Sequence, residues 1–284
     1  MNNILYCIFS PLHFSAIQNS FIISIIVVIP MAILSCFIIL KNQSFVGEAI
    51  SHAVLPGIVL SNIIGIPLEI GAFIAGMLCT LSAGYLKENS YFQEDILLSM
   101  VFSTMFAIGI VIMLKVHSSL HFSHILLGDM LGISKSDIIK TAVLALISVS
   151  FLILKKNDLL LMIFDPIHAR SMQIPIKLLH YAFLIVLSLI IVISLKSVGL
   201  ILPPALLVLP GSIAFLLSKH HTKMILLSII ISVTCTVIGI YLSFFINSAA
   251  APTIVVMMSC VFLIIVFFKI IFGKDQKILQ NKRT

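Results

Sequence analysis

Val46-Gly-Glu-Ala-Ile-Ser-His-Ala-Val-Leu-Pro-Gly57 sets a carboxylate, an imidazole and a helix breaker inside a segment otherwise apolar enough to cross a membrane. Glu48 and His52 are four residues apart, so on a helix they share one face, and both are side-chain types that bind divalent cations. Pro56 follows His52 by four more residues. It removes the backbone N–H that would bond the His52 carbonyl and bends the helix there. One turn then offers a carboxylate, an imidazole, the Ser51 hydroxyl and a released carbonyl. Ionisable groups inside a membrane segment are expensive, and by default they mark a transport pathway. The plainer reading is a Glu48 close to the membrane surface and a core His52 bonded to a neighbouring helix, and the rest of the chain bears on the choice.

Outward from this stretch, the composition settles the class. Of the 284 residues 61% are hydrophobic and only 10% charged, with a mean hydropathy of +1.25, far more apolar surface than a soluble domain buries. Runs of about 20 apolar residues recur almost without interruption, which predicts an all-α polytopic membrane protein and excludes a β-barrel. Cys7, Cys36, Cys79, Cys235 and Cys260 are scattered with no CxxC pair, so they read as small packing residues. The net charge of +7 reflects basic loops at one membrane face rather than a nucleic-acid partner.

Spans are predicted at about 20–40, 46–64, 68–86, 95–114, 137–154, 179–195, 198–216, 224–246 and 250–271. That makes nine, or eight if the short seventh does not cross. Residues 1–19 read as an interfacial lead-in and 272–284 as a cytoplasmic tail, around a single transmembrane domain over 1–284. With that tail inside, Lys41, Lys87, Lys155, Lys156, Arg170, Lys177, Lys219, Lys223, Lys274, Lys277, Lys282 and Arg283 all lie inside. Only Lys115, Lys135, Lys140 and Lys196 lie on or near the outer side. This asymmetry predicts an outer N-terminus and a cytoplasmic C-terminus.

Between the spans, Phe164-Asp-Pro-Ile-His-Ala-Arg170 has Asp165 before Pro166, the signature of a capped short helix along the membrane surface, with Arg170 at its end. Val198 to Gly211 holds three prolines and two glycines, which predicts a broken helix. The basic segment after it, Ser212 to His221, is expected to emerge as a cytoplasmic docking helix. The longest outer loop, 115–135, carries His117, His121, His124 and Asp129. Of these, His121, His124 and Asp129 are candidates for an outer gate, although histidines in a solvated loop more often ligate nothing. Glu69 and the pair Glu94-Asp95 read as helix-start residues. No GxxxxGK[ST] phosphate loop, serine triad or HExxH pattern is present, so no catalytic residue is assigned and the chain is not read as an enzyme.

Four stretches stand in order and spacing: Gly47-Glu-Ala-Ile-Ser-His-Ala-Val-Leu-Pro-Gly57, Phe122-Ser-His-Ile-Leu-Leu-Gly-Asp-Met-Leu-Gly-Ile-Ser134, Phe164-Asp-Pro-Ile-His-Ala-Arg170, and Val198-Gly-Leu-Ile-Leu with Ala205-Leu-Leu-Val-Leu-Pro210. Together they resemble the permease subunits of bacterial ATP-binding-cassette transporters for zinc, manganese and iron. Ser51-His52-Ala-Val-Leu-Pro56 is nearest the manganese and iron branch. The resemblance implies a multi-pass protein of the bacterial cytoplasmic (inner) membrane that works as a homodimer with a central pathway. It implies two separate cytoplasmic ATPases and an extracytoplasmic metal-binding protein that delivers Mn²⁺, Fe²⁺ or Zn²⁺. No cofactor is permanently bound, and the metal is cargo. Glu48 and His52 fall on the family's pathway ligands, where Asp is commoner at the first. Ser212, Ala214, Phe215 and Lys219 fall where the family puts its ATPase-coupling segment, and Gln173 stands where Gly is frequent.

Two other readings remain open at this level. An ion-coupled secondary transporter would use Glu48 and His52 as a proton relay, and a related permease for metal chelates would have a wider pathway. A channel is disfavoured because no filter motif is visible.

Overall fold

The computed structural model describes residues 15–115, 128, 132 and 134–281, all of the regular structure in them helical. The first five helices are α1 (Ser15–Leu40), α2 (Val46–Ala53), α3 (Leu55–Ile64), α4 (Leu68–Glu88) and α5 (Glu94–Lys115). They are followed by α6 (Lys135–Leu154), α7 (Lys156–Phe164), α8 (Pro166–Ser171) and α9 (Ile176–Val198). The last three are α10 (Leu202–Leu217), α11 (His221–Ile246) and α12 (Ala250–Asn281). α1 is the mast of the bundle, packed along α10 and α11 and against α6 and α9. Val28, Met31, Leu34 and Phe37 on it are fully buried. α2 lies on the other side of α10, wedged among α4, α5 and α9.

Lysines mark one end of the bundle. There Lys41 Nζ meets His180 Nδ1 at 2.9 Å, Lys156 Nζ donates to Thr222 Oγ1 at 2.8 Å, and Lys269 Nζ donates to the Leu216 carbonyl at 2.9 Å. A polar recess at the same end joins Lys41, Gln43, Lys87, Asp95 and Met162. At the opposite end Gly128 packs on the Val198–Gly199 backbone, and Glu69, Asp137, Lys140 and Ser197 border one cavity. Eight helical segments among the described residues are long and apolar enough to span a membrane. α10, with 16 residues, is only about 24 Å long. It nevertheless runs from the Gly199 end to the lysine-rich end, and α2 and α3 together form one of the eight longer segments.

Association of apolar helices in lipid gains little from the hydrophobic effect and depends on close packing and on satisfied polar groups. Both are visible here. A Cβ at Gly57 would collide with the Gly71 backbone, which lets α3 and α4 cross at backbone contact. Buried hydroxyls turn back on their own helices, as Ser148 does to the Leu144 carbonyl and Ser194 to the Ile191 carbonyl.

Residues 15–19 of the expected lead-in form the first turn of α1, and the residues before 15 lie outside the described ones. α12 continues as helix through 272–281, the stretch expected as a tail. The proline-rich stretch forms one unbroken helix from Leu202. Pro203 and Pro204 sit in its first turn, where no N–H is required, and after Pro210 the Gly211 N–H donates to Ser35 Oγ of α1 at 2.8 Å. The break falls earlier, at Gly199–Ile201, where Gly199 has φ +74°.

Candidate metal route

α2 and α3 are almost collinear, joined through Val54 in helical geometry (φ −69°, ψ −24°), with Pro56 in the first turn of α3. Six of the eight residues of α2 are buried: Val46, Gly47, Ala49, Ile50, Ser51 and Ala53. The other two are Glu48, exposed, and His52, half-buried. The four-residue spacing therefore does what the sequence implies, turning both side chains to the one face of α2 that is not fully buried. Ser51 does not join them, because its hydroxyl is buried and donates to the Gly47 carbonyl at 2.8 Å.

Two residues of α5 complete the surroundings, and neither was legible as a site residue. Phe102 stacks on the His52 ring at 5.9 Å between centroids, and Phe106 meets it edge-on at 5.1 Å. Phe45 packs on Phe102 in turn, 5.4 Å away. Within this aromatic cage His52 Nδ1 is buried with no hydrogen-bond partner. An unpaired imidazole nitrogen in a dry setting forfeits hydrogen-bond energy, and metal coordination is one way to recover it. The signal in the sequence was the repeat of the four-residue spacing at Phe102 and Phe106. On a helix as uniformly apolar as α5 it has no contrast.

Among the described residues no three His, Cys, Asp or Glu side chains of the chain converge. First-row divalent ions take four to six ligands, more than Glu48 and His52 of one chain could supply. His121, His124 and Asp129, the expected outer gate, lie outside the described residues, as does His117.

The expected coupling segment does not form a helix of its own. Ser212, whose hydroxyl bonds the Val208 carbonyl, and Ala214, fully buried, belong to the body of α10. Phe215 near its end and Lys219 in the short connection to α11 are exposed. The surface helix after α7 is as predicted. Asp165 caps α8, accepting from the His168 N–H at 2.9 Å, and Pro166 occupies the first turn. α8 stands clear of the bundle, with Ala169 its sole buried residue and Phe164, Ile167, Arg170 and Met172 exposed. Gln173, just beyond, has φ +58°, the left-handed conformation that explains why glycine suits this place.

The fold and site have counterparts among known proteins. The chain is 42% identical to the chelated iron transport system membrane protein YfeD of Yersinia pestis, over 94% of this chain and 90% of the relative. It is 40% identical to the manganese transport system membrane protein MntB of Synechocystis, over 89% and 83%. The solved structure of PsaBC from Streptococcus pneumoniae in complex with Fab superposes with a TM-score of 0.83 at 34% identity, covering 92% of this chain and 95% of that one. The ABC 3 transport family model matches residues 13–269, and the chain, a helical membrane protein built on that fold, belongs to this family.

Proposed function

We propose that the chain is the permease subunit of an ATP-driven importer of divalent metal ions, with manganese or iron as cargo and zinc chemically compatible. The observation that carries this reading is that Glu48 and His52 are the two residues of α2 not fully buried, one turn apart, with an unpartnered ring nitrogen on an imidazole packed by two phenylalanines. A hard carboxylate oxygen beside a borderline imidazole suits Mn²⁺ and Fe²⁺. The kinship with manganese and iron transport proteins supports the same cargo. A second copy of the chain would bring a second Glu48–His52 pair to the open face and complete the shell, so the working unit is a homodimer with the route at its axis.

The lysine-rich end is the cytoplasmic one by the positive-inside rule, which puts the start of α1 outside. There α8, with Phe164, Ile167 and Arg170, offers the docking surface for a separate ATPase. Lys219 lies three residues before Thr222, which Lys156 at the start of α7 bonds. The outer face receives metal from a binding protein. ATP hydrolysis resides in the partner, and the permease does no bond chemistry. Its two carboxylate and imidazole pairs hold the ion loosely enough to release it when the pathway switches access.

The test is ATP-dependent uptake of ⁵⁴Mn²⁺ and ⁵⁵Fe²⁺ into proteoliposomes holding the permease and its ATPase. Glu48→Ala and His52→Ala should each abolish uptake while the complex still assembles. Normal uptake by both variants rejects the site, and uptake without the ATPase rejects the class. Stronger inhibition by a chelated than by a free ion would move the cargo to the chelate.

A further inference from the structure

The ring contacts of His52 are made by α5. Phe102 lies on the imidazole with the two planes inclined by 28°, and Phe106 stands across it at 76°. Phe45 backs Phe102 from the residue before α2, so phenyl rings line the place where the imidazole sits. The four-residue spacing of Phe102 and Phe106 keeps both on one face of α5, and Nδ1 of His52 is buried there with no hydrogen-bond partner. The hard ligand of α2 is Glu48, exposed one turn away, because the Ser51 hydroxyl is turned back to the Gly47 carbonyl. The chain thus offers an ion one carboxylate, one imidazole and a wall of phenyl rings beside the imidazole.

We infer that Phe102 and Phe106 are specificity-determining residues of the route, which turn away Mg²⁺ and Ca²⁺ by refusing their water. The inference rests on the Glu48–His52 reading and deepens it. Glu48 attracts every divalent ion alike through its charge, so discrimination falls to the imidazole and its wall. A divalent ion arrives in a shell of water whose hydrogens need acceptors, and phenyl rings supply none of useful strength. To sit against His52 it must shed the waters on that side and take a ring nitrogen in exchange. Mn²⁺, Fe²⁺ and Zn²⁺ accept that exchange, since nitrogen ligands suit the first-row series. Mg²⁺ loses water reluctantly, and Ca²⁺ takes six to eight oxygen ligands, so one nitrogen compensates neither for the shell it gives up.

The test uses the permease with its ATPase in proteoliposomes, with ⁵⁴Mn²⁺ uptake measured against rising Ca²⁺ or Mg²⁺. In the parent both ions should compete weakly. Phe102→Gln and Phe106→Gln, at half-buried positions, put a water-holding amide into the wall. The Ca²⁺ or Mg²⁺ concentration that halves uptake should then fall about tenfold, the scale of losing a group around a ligand. Phe106→Leu keeps the wall apolar and should keep the parent's tolerance. Where a glutamine variant transports too little Mn²⁺ to measure, the same ratio is read at equilibrium, from Ca²⁺ displacement of Mn²⁺ bound to the complex in detergent, followed by the Mn²⁺ EPR signal. Parent-like tolerance in both glutamine variants overturns the proposal by either readout. So does a leucine variant as sensitive as the glutamine ones, since ring packing rather than dryness would then set the preference. The route itself fails by a different sign: if His52→Ala removes no nitrogen coupling from bound Mn²⁺, His52 is not a ligand, and the selectivity of its wall falls with it.

Discussion

Gly109 of α5 lies directly on Pro56 of α3: a Cβ at position 109 would stand 2.8 Å from the proline nitrogen and 3.0 Å from its Cδ. The same helix carries Phe106, three residues earlier, against His52. The proline turn and the aromatic cage are thus held by one contact between two helices.

Gly109→Ala has no inexpensive accommodation, because what the new methyl meets is backbone and a rigid ring. A loss of about 1–3 kcal/mol is expected, seen as a lower thermal unfolding midpoint in detergent. As α5 backs away it takes Phe106 with it, so metal uptake should fall more than the loss of folded protein explains. Parent-like melting and uptake would show that the contact has slack.

Removing the cage while sparing the ligands separates positioning from coordination. Phe102→Ala together with Phe106→Ala opens His52 Nδ1 to water and should reduce uptake by about tenfold, as loss of the groups around a ligand typically does. Glu48→Asp keeps the charge and should retain most uptake, whereas Glu48→Gln should not. If the glutamine variant transports as well as the aspartate, charge at position 48 is irrelevant.

α8 offers two opposite perturbations. Asp165→Ala deletes the cap on the His168 N–H, at a cost of about 1 kcal/mol to the local helix, and should weaken copurification of the ATPase; Asp165→Asn should preserve it. Gln173→Gly relieves a left-handed residue and should stabilise the α8–α9 junction by up to about 1 kcal/mol, measured as slower hydrogen exchange over 165–175. Faster exchange in the glycine variant would contradict the geometry.

Ser35→Ala strands the Gly211 N–H in the apolar core, and a destabilisation of about 1–2 kcal/mol is expected. Ser35→Thr keeps the acceptor but crowds Gly211, whose missing side chain is what allows α10 so near. Melting curves of the two variants distinguish a lost hydrogen bond from overpacking.

The spans were readable because length and apolarity suffice to define a helix in lipid. The Glu48–His52 face was readable because a four-residue spacing has a single meaning on a helix. Phe102, Phe106 and Gly109 were not, since contacts formed across some fifty residues leave no trace in a segment where every position is apolar. The stretch Val198–Gly211 is broken as expected, at Gly199–Ile201, but the prolines are not where it breaks: Pro203 and Pro204 sit where helices need no N–H, and a serine on another helix takes up the donor after Pro210. For the same reason Ser212 and Ala214, expected in a docking helix of their own, lie in the body of α10, where Ala214 is fully enclosed.

Ser228 of α11 donates to the Ala32 carbonyl at 2.8 Å, three residues along α1 from where Ser35 receives Gly211 of α10. Two rivets within a single turn tie α1 to both α10 and α11. A push on α10 or α11 at the lysine-rich edge therefore reaches α1 through these two bonds.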